Sequence, residues 1–196
     1  MESKYFSITL FILFSHSIYS QNSSKNEYYN GVFNWKIIIP ENFQYVNSEE
    51  QKQLQKKGED AIEKTYNQEI INQSIHIFAF NNGKFNYFDS SYQPFDTEID
   101  GDYITTCKGV NNILYETIST QLKGAEIDTI STTEIIDKLE FQKFILKVKL
   151  PNEIIMNMIT YCRLFDKKEL SVNIIYIDKK KGKLMIESKQ NSIFSE

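Results

Sequence analysis

Beyond its first twenty residues the chain offers one histidine, His76, two cysteines, Cys107 and Cys162, and a single arginine, Arg163. That inventory narrows the chemistry. Catalytic zinc takes three protein ligands drawn mostly from His and Cys, and the supply here is thin. A Ser-His-Asp hydrolase would need His76 as its base. His76 lies inside SIHIFAF, aligned with Phe78 and Phe80, and no nucleophile-elbow pattern surrounds any serine. It reads as a structural histidine in or beside a sheet. P-loop, dinucleotide, Cys-x-x-Cys and kinase signatures do not occur.

The sharpest local pattern is DTEIDGD, residues 96–102. Asp96, Glu98 and Asp100 stand at alternate positions before Gly101, like the opening half of a calcium loop. The position of the bidentate glutamate is held by Cys107. Two readings stay open: a weak calcium or small-ligand module, or an acidic loop whose carboxylates complement the dipole of the helix that follows. KFNYFDSSYQPF raises a similar choice. Phe85, Tyr87, Phe88, Tyr92 and Phe95 could form a recognition surface or pack as core. Alternation sends Phe88 to the opposite face from Phe85 and Tyr87, so part of the group is core. Glu134, Asp137 and Glu140 surround a strand connection. Acids there form turns, while a carboxylate-based hydrolase would need two of the chain's acids converging in a cleft. Cys107 and Cys162 either pair in an oxidising compartment or remain two small buried thiols, since a domain of this size needs no staple.

The elements that would position these residues follow from periodicity. Phe33, Trp35, Ile37 and Ile39 alternate as the first strand of a sheet, ended by Pro40. From Ser48 to about Ile71 the pattern turns helical, with Ser48 as cap and a thin apolar stripe over a charged face. SIHIFAF (74–80) and KFNYFDS (84–90) are strands joined through Asn-Gly, a hairpin signal because both residues tolerate positive φ. Residues 91–101 read as a loop. A second helix spans about Tyr103 to Leu122, with Gly124 at its stop. Strands are expected at 126–133, 140–150, 153–165 and 170–177. In the second of these Phe144, Leu146, Val148 and Leu150 alternate with lysines, giving one buried and one largely wet face. A last helix covers about Lys183 to Phe194. The order β-α-β-β-α-β-β-β-β-α predicts an α+β fold, an α/β/α sandwich about a mostly antiparallel six- or seven-stranded sheet.

Residues 1–20 have the layout of a secretory signal peptide: a weakly basic start, an apolar run from Tyr5 to Phe14, and SHSIYSQ with cleavage after Ser20. Residues 21–30 are expected to be flexible and 31–196 to form one domain. No later stretch is apolar enough to span a bilayer. A net charge of −4 with almost no arginine argues against nucleic acid as a partner. The expected product is periplasmic or secreted, monomeric and without a cofactor.

FNWKIIIPENF, KKGEDAIEK in the first helix, and LSVNIIYIDKKKGKLMIESKQNSIF at the end resemble the PsbP-like family, whose fold a Ran-binding nuclear import factor and small exported bacterial proteins also use. The resemblance spans nearly the whole chain after residue 20 as a pattern. It implies the α/β/α sandwich and a non-enzymatic role through protein contacts, here as an accessory to an envelope protein. It carries over no site residues.

Overall fold

The computed structural model describes residues 26–195. The expected signal peptide lies outside the described residues. The first ordered segments are β1 (Glu27–Asn30) and β2 (Trp35–Ile38), so the end of the segment expected to be loose is a strand. Trp35 and Ile37 are buried and Lys36 and Ile38 exposed, as the alternation requires. The sheet they join differs from the expected one. β2 pairs with β1 and with the C-terminal strand β10 (Ile193–Phe194) in a separate three-stranded sheet. Phe194 therefore ends a strand rather than the last helix.

β3 (Gln44–Tyr45) precedes α1 (Ser48–Tyr66). The cap of α1 is Asn47, not Ser48: its side-chain oxygen accepts the N–H groups of Glu49 and Glu50 at 3.1 and 2.9 Å. The helix stops at Tyr66 because Asn67 turns left-handed at φ 52°. β4 (Ile75–Asn81) and β5 (Tyr87–Pro94) form the expected hairpin, with positive φ at Gly83 and Phe85. β5 runs on through Pro94 and absorbs part of the expected loop. A single turn, α2 (Thr97–Asp100), leads into α3 (Tyr103–Gln121), which Asp102 caps through the Thr105 N–H.

Four long strands follow: β6 (Glu126–Ile136), β7 (Leu139–Lys149), β8 (Ile155–Phe165) and β9 (Lys168–Tyr176). Asp137, Lys138, Glu153 and Asp166 supply the positive φ of their connections. α4 (Lys179–Gln190) starts four residues earlier than expected because Asp178 caps it. The main sheet is seven-stranded, ordered β3-β4-β5-β9-β8-β7-β6 with every pair antiparallel.

The three-stranded sheet and α4 cover one face. There Trp35, Ile37, Phe78, Phe88, Phe141, Tyr161, Val172 and Met185 form the main core. On the other face Phe144, Leu146 and Val148 pack with Leu114 and Ile118 of α3. Both faces of β7 and β8 are therefore covered, which corrects the expected wet face: Phe141, Ile159 and Tyr161 on that side are buried. α1 lies against α3. No helix among the described residues is long and apolar enough to cross a membrane.

Candidate functional site

On the α1–α3 face the sheet changes character from one side to the other. Under α3, β7 and β8 present Phe144, Leu146, Met156 and Met158. Toward β5 and β9 the same face becomes polar, because residues facing it recur every second position. These are Ser91 and Gln93 on β5, Thr160 and Cys162 on β8, and Glu169, Ser171 and Asn173 on β9. A cleft of about 700 Å³ lies over this polar floor. Ile62 of α1 and Ile104, Val110, Ile113 and Leu114 of α3 form its apolar walls, and Ser131 to Thr133 of β6 its far side. α1 buries none of its residues.

The floor is internally hydrogen-bonded. The Thr160 hydroxyl donates to Asn173 Oδ1 at 2.9 Å, and Asn173 Nδ2 donates to Asp89 Oδ2 at 3.2 Å. Burial pushes the Asp89 carboxyl up to about 7, with the Asn173 amide acting against it. Gln93 Nε2 donates to Glu169 Oε2 at 2.7 Å, while the Cys107 thiol donates to Glu169 Oε1 at 3.9 Å. Cys162 Sγ lies 3.5 Å from the Ser171 hydroxyl. Burial pushes the Cys107 thiol up to about 11; burial, with Glu169 nearby, pushes Cys162 upward as well. Both thiols are free and held protonated, so neither is an activated nucleophile at neutral pH. The Tyr103 hydroxyl is buried beside the Cys107 thiol, and that burial pushes its ionisation upward.

The residues singled out from sequence scatter around this cleft. His76 is half-buried and contacts the Gln51 side chain of α1. A bulge between His76 and Phe78 breaks their expected alignment and sends Phe78 into the opposite core. Burial lowers the His76 value. Asp96, Glu98 and Asp100 do not converge. Asp96 caps α2 through the Glu98 N–H at 3.0 Å and pairs with Lys167 at 2.9 Å, which lowers its carboxyl below the usual range. Asp100 Oδ2 accepts the Asp96 N–H at 2.7 Å. Among the described residues no three His, Cys, Asp or Glu side chains are grouped as a metal site. The helix-start reading of this loop fits the geometry.

Of the candidate recognition aromatics, Phe88 and Phe95 are 0% and 4% exposed. Phe88 packs edge-on to Phe78, and Phe95 to Tyr103. Tyr92 meets Phe33 in the main core, and Tyr87 is half-buried. They form no surface patch. Glu134 pairs with Lys143 and accepts from Gln190 at 2.8 Å. Asp137 accepts the Phe194 N–H at 2.6 Å. Those acids hold the C-terminus in place. Among the described residues only one carboxylate, Glu169, lines the cleft, so the two converging acids that glycoside hydrolysis requires are not brought together there by them. The floor offers amide and hydroxyl groups to whatever enters the cleft.

No family model matches the chain. No curated protein matches it in sequence. Among solved structures it is similar to cyanobacterial PsbP (CyanoP) from Synechocystis sp. PCC 6803, with a TM-score of 0.56 at 8% identity, over 86% of this chain and 91% of that one. The fold is PsbP-like.

Proposed function

We propose that the chain is an exported, non-enzymatic accessory protein, periplasmic or secreted, that binds a protein partner of the cell envelope through the cleft between its helices and the polar half of the sheet. The observation that carries this reading is the cleft itself. Amides and hydroxyls on its floor offer donors and acceptors to a peptide backbone, and isoleucine, valine and leucine on its walls accept apolar side chains. A photo-crosslinking residue placed at Asn72 or Ile113, both in the cleft lining, tests it in cells. The expected result is one discrete protein adduct from both positions and none from Lys183, an exposed residue of α4. Identical adducts from all three positions, or none from the cleft, count against it.

The volume of the cleft also suits a small ligand, since such sites span about 300–1,000 Å³. Thermal-shift screening against a metabolite panel separates the two: stabilisation by a small molecule that blocks crosslinking at Ile113 favours the ligand reading.

A further inference from the structure

We infer that the free edge of β6 takes an extended, acidic segment of the partner polypeptide as an added strand, an inference that rests on the protein-binding reading above. β6 ends the seven-stranded sheet and, among the described residues, pairs with β7 alone. A free edge displays a row of backbone donors and acceptors, and proteins normally blunt it with proline, lysine, bulges or short length. β6 lacks all four, and of its three carboxylates Glu126 and Glu134 are each held by a lysine of β7, Lys149 and Lys143. Its 11 residues, EIDTISTTEII, contain no Pro, Lys or Gly, and its register with β7 is unbroken from Glu126 to Ile136. Asp128 to Thr133 are exposed without interruption. The opposite edge strand, β3, is two residues long. One edge is protected and the other left available.

The available edge has a shaped flank. A groove of about 280 Å³ opens along it at Thr129 and Ser131, walled by Lys108, Asn111, Asn112 and Tyr115 of α3. Thr129 and Ser131 are two residues apart, so a strand added beside them would send every second side chain toward the same groove. Backbone hydrogen bonds would supply affinity and the groove selectivity. Lys108 lines this groove and the main cleft alike. It is exposed and enters no ion pair among the described residues. Its charge partner is Asp102 at the start of α3, beyond ion-pair distance, so the ammonium at the mouth still favours a carboxylate on the incoming strand. A second copy of this chain fits less well. Pairing two β6 edges would set their Glu126, Asp128 and Glu134 side chains against one another on the face away from Thr129 and Ser131. A carboxylate aimed into the groove meets Lys108 instead.

The test uses a phage-displayed library of random decapeptides selected against the full chain, with the winning peptide labelled for fluorescence anisotropy. The winners are expected to carry Asp or Glu and to protect the amides of Asp128–Thr133 from hydrogen exchange. Lys108→Glu, and separately Thr129→Glu with Ser131→Glu, should weaken binding about tenfold or more; Lys183→Glu should not. All these positions are exposed, so circular dichroism should match the parent. Binding abolished by Thr160→Trp, which fills the cleft, but unchanged by the edge variants overturns the edge inference and leaves the cleft reading standing. Failure to select any peptide overturns both. A dimer in sedimentation that Thr129→Glu with Ser131→Glu dissociates overturns the assigned occupant.

Discussion

Lys189 is fully buried, and removing its amine should stabilise the protein in a pH-dependent way. It lies on one face of α4 with Gly182 and Met185, the helix's other buried residues. That spacing leaves Nζ inside the core, 3.9 Å from the centre of the Phe141 ring, 5.1 Å from Phe194, 5.6 Å from Trp35 and 5.9 Å from Tyr161. Among the described residues it has no hydrogen-bond acceptor. Desolvation lowers it from 10.5 to about 7, against the pull of the Glu134 carboxylate, itself paired with Lys143. At about 1.4 kcal/mol per pH unit, that gap corresponds to about 5 kcal/mol, an upper bound on the cost of burying the ammonium. The cation–π attraction of the rings recovers about 1–2 kcal/mol. Because the folded value lies below the unfolded one, the folded chain binds fewer protons between them. The stability contribution is therefore complete above the unfolded value and is lost as pH falls toward about 7. The other shifted groups act elsewhere: Asp89 below about 7, His76 below 6.5, and the thiols from 9 upward. Urea unfolding between about pH 7.2 and 8.5 isolates the lysine. Relative to Lys189→Met, the parent should gain about 1.5 kcal/mol across that interval. At the lower pH the variant should be more stable by about 2–4 kcal/mol. Parallel pH profiles for the two proteins would refute the argument. So would a variant less stable than the parent at both pH values, since the cage would then depend on the ammonium it holds.

Three further outcomes follow from single contacts. Gly182→Ala should destabilise by about 1–3 kcal/mol in thermal or urea melts, because the new Cβ lands on the Tyr176 ring in a packed site. Asn47→Ala should cost about 1 kcal/mol by the same assay, by leaving the Glu49 and Glu50 N–H groups uncapped. Calorimetric titration with calcium should give no binding heat at millimolar concentration, since Asp96 and Asp100 already serve the α2 turn and Lys167.

How much of this was legible depends on how far each signal reaches along the chain. α3 and β7 announced themselves because one of their faces is continuously apolar, with Phe144, Leu146 and Val148 meeting Leu114 and Ile118. The strand character of Trp35 to Ile38 was legible for the same reason. Its membership in a separate sheet was not, because its partners are a four-residue strand and a two-residue one at the far end of the chain. Strands that short carry almost no periodic signal. Alternation already pointed Phe88 to the core, as the structure has it, while Phe95, just past the end of β5, is buried against Tyr103. Lys189 was invisible as a buried group. A lysine on a lysine-rich helix reads as solvated, and only the packing of Phe141, Phe194 and Trp35 around it says otherwise.

The cleft was missed because period-two polarity has two physical causes that look alike in one dimension. Ser91, Gln93, Thr160, Ser171 and Asn173 alternate with core residues just as a face turned to water would. Two features favour a cleft over a collapsed interface. The floor has bonded many of its polar groups to one another, through Thr160–Asn173–Asp89 and Gln93–Glu169. Bringing α1 down onto it would exclude water from the remaining hydroxyls and amides without supplying partners, at about 1–3 kcal/mol for each group left unpaired. α1 has little to set against that cost, because its stripe is thin and none of its residues is buried. The helix thus spans the polar ground while α3, with its apolar contacts to β7, anchors the layer. A ligand that satisfies the floor and covers Ile62, Val110 and Ile113 together would remove both obstacles at once. Occupancy is therefore what would close the cleft.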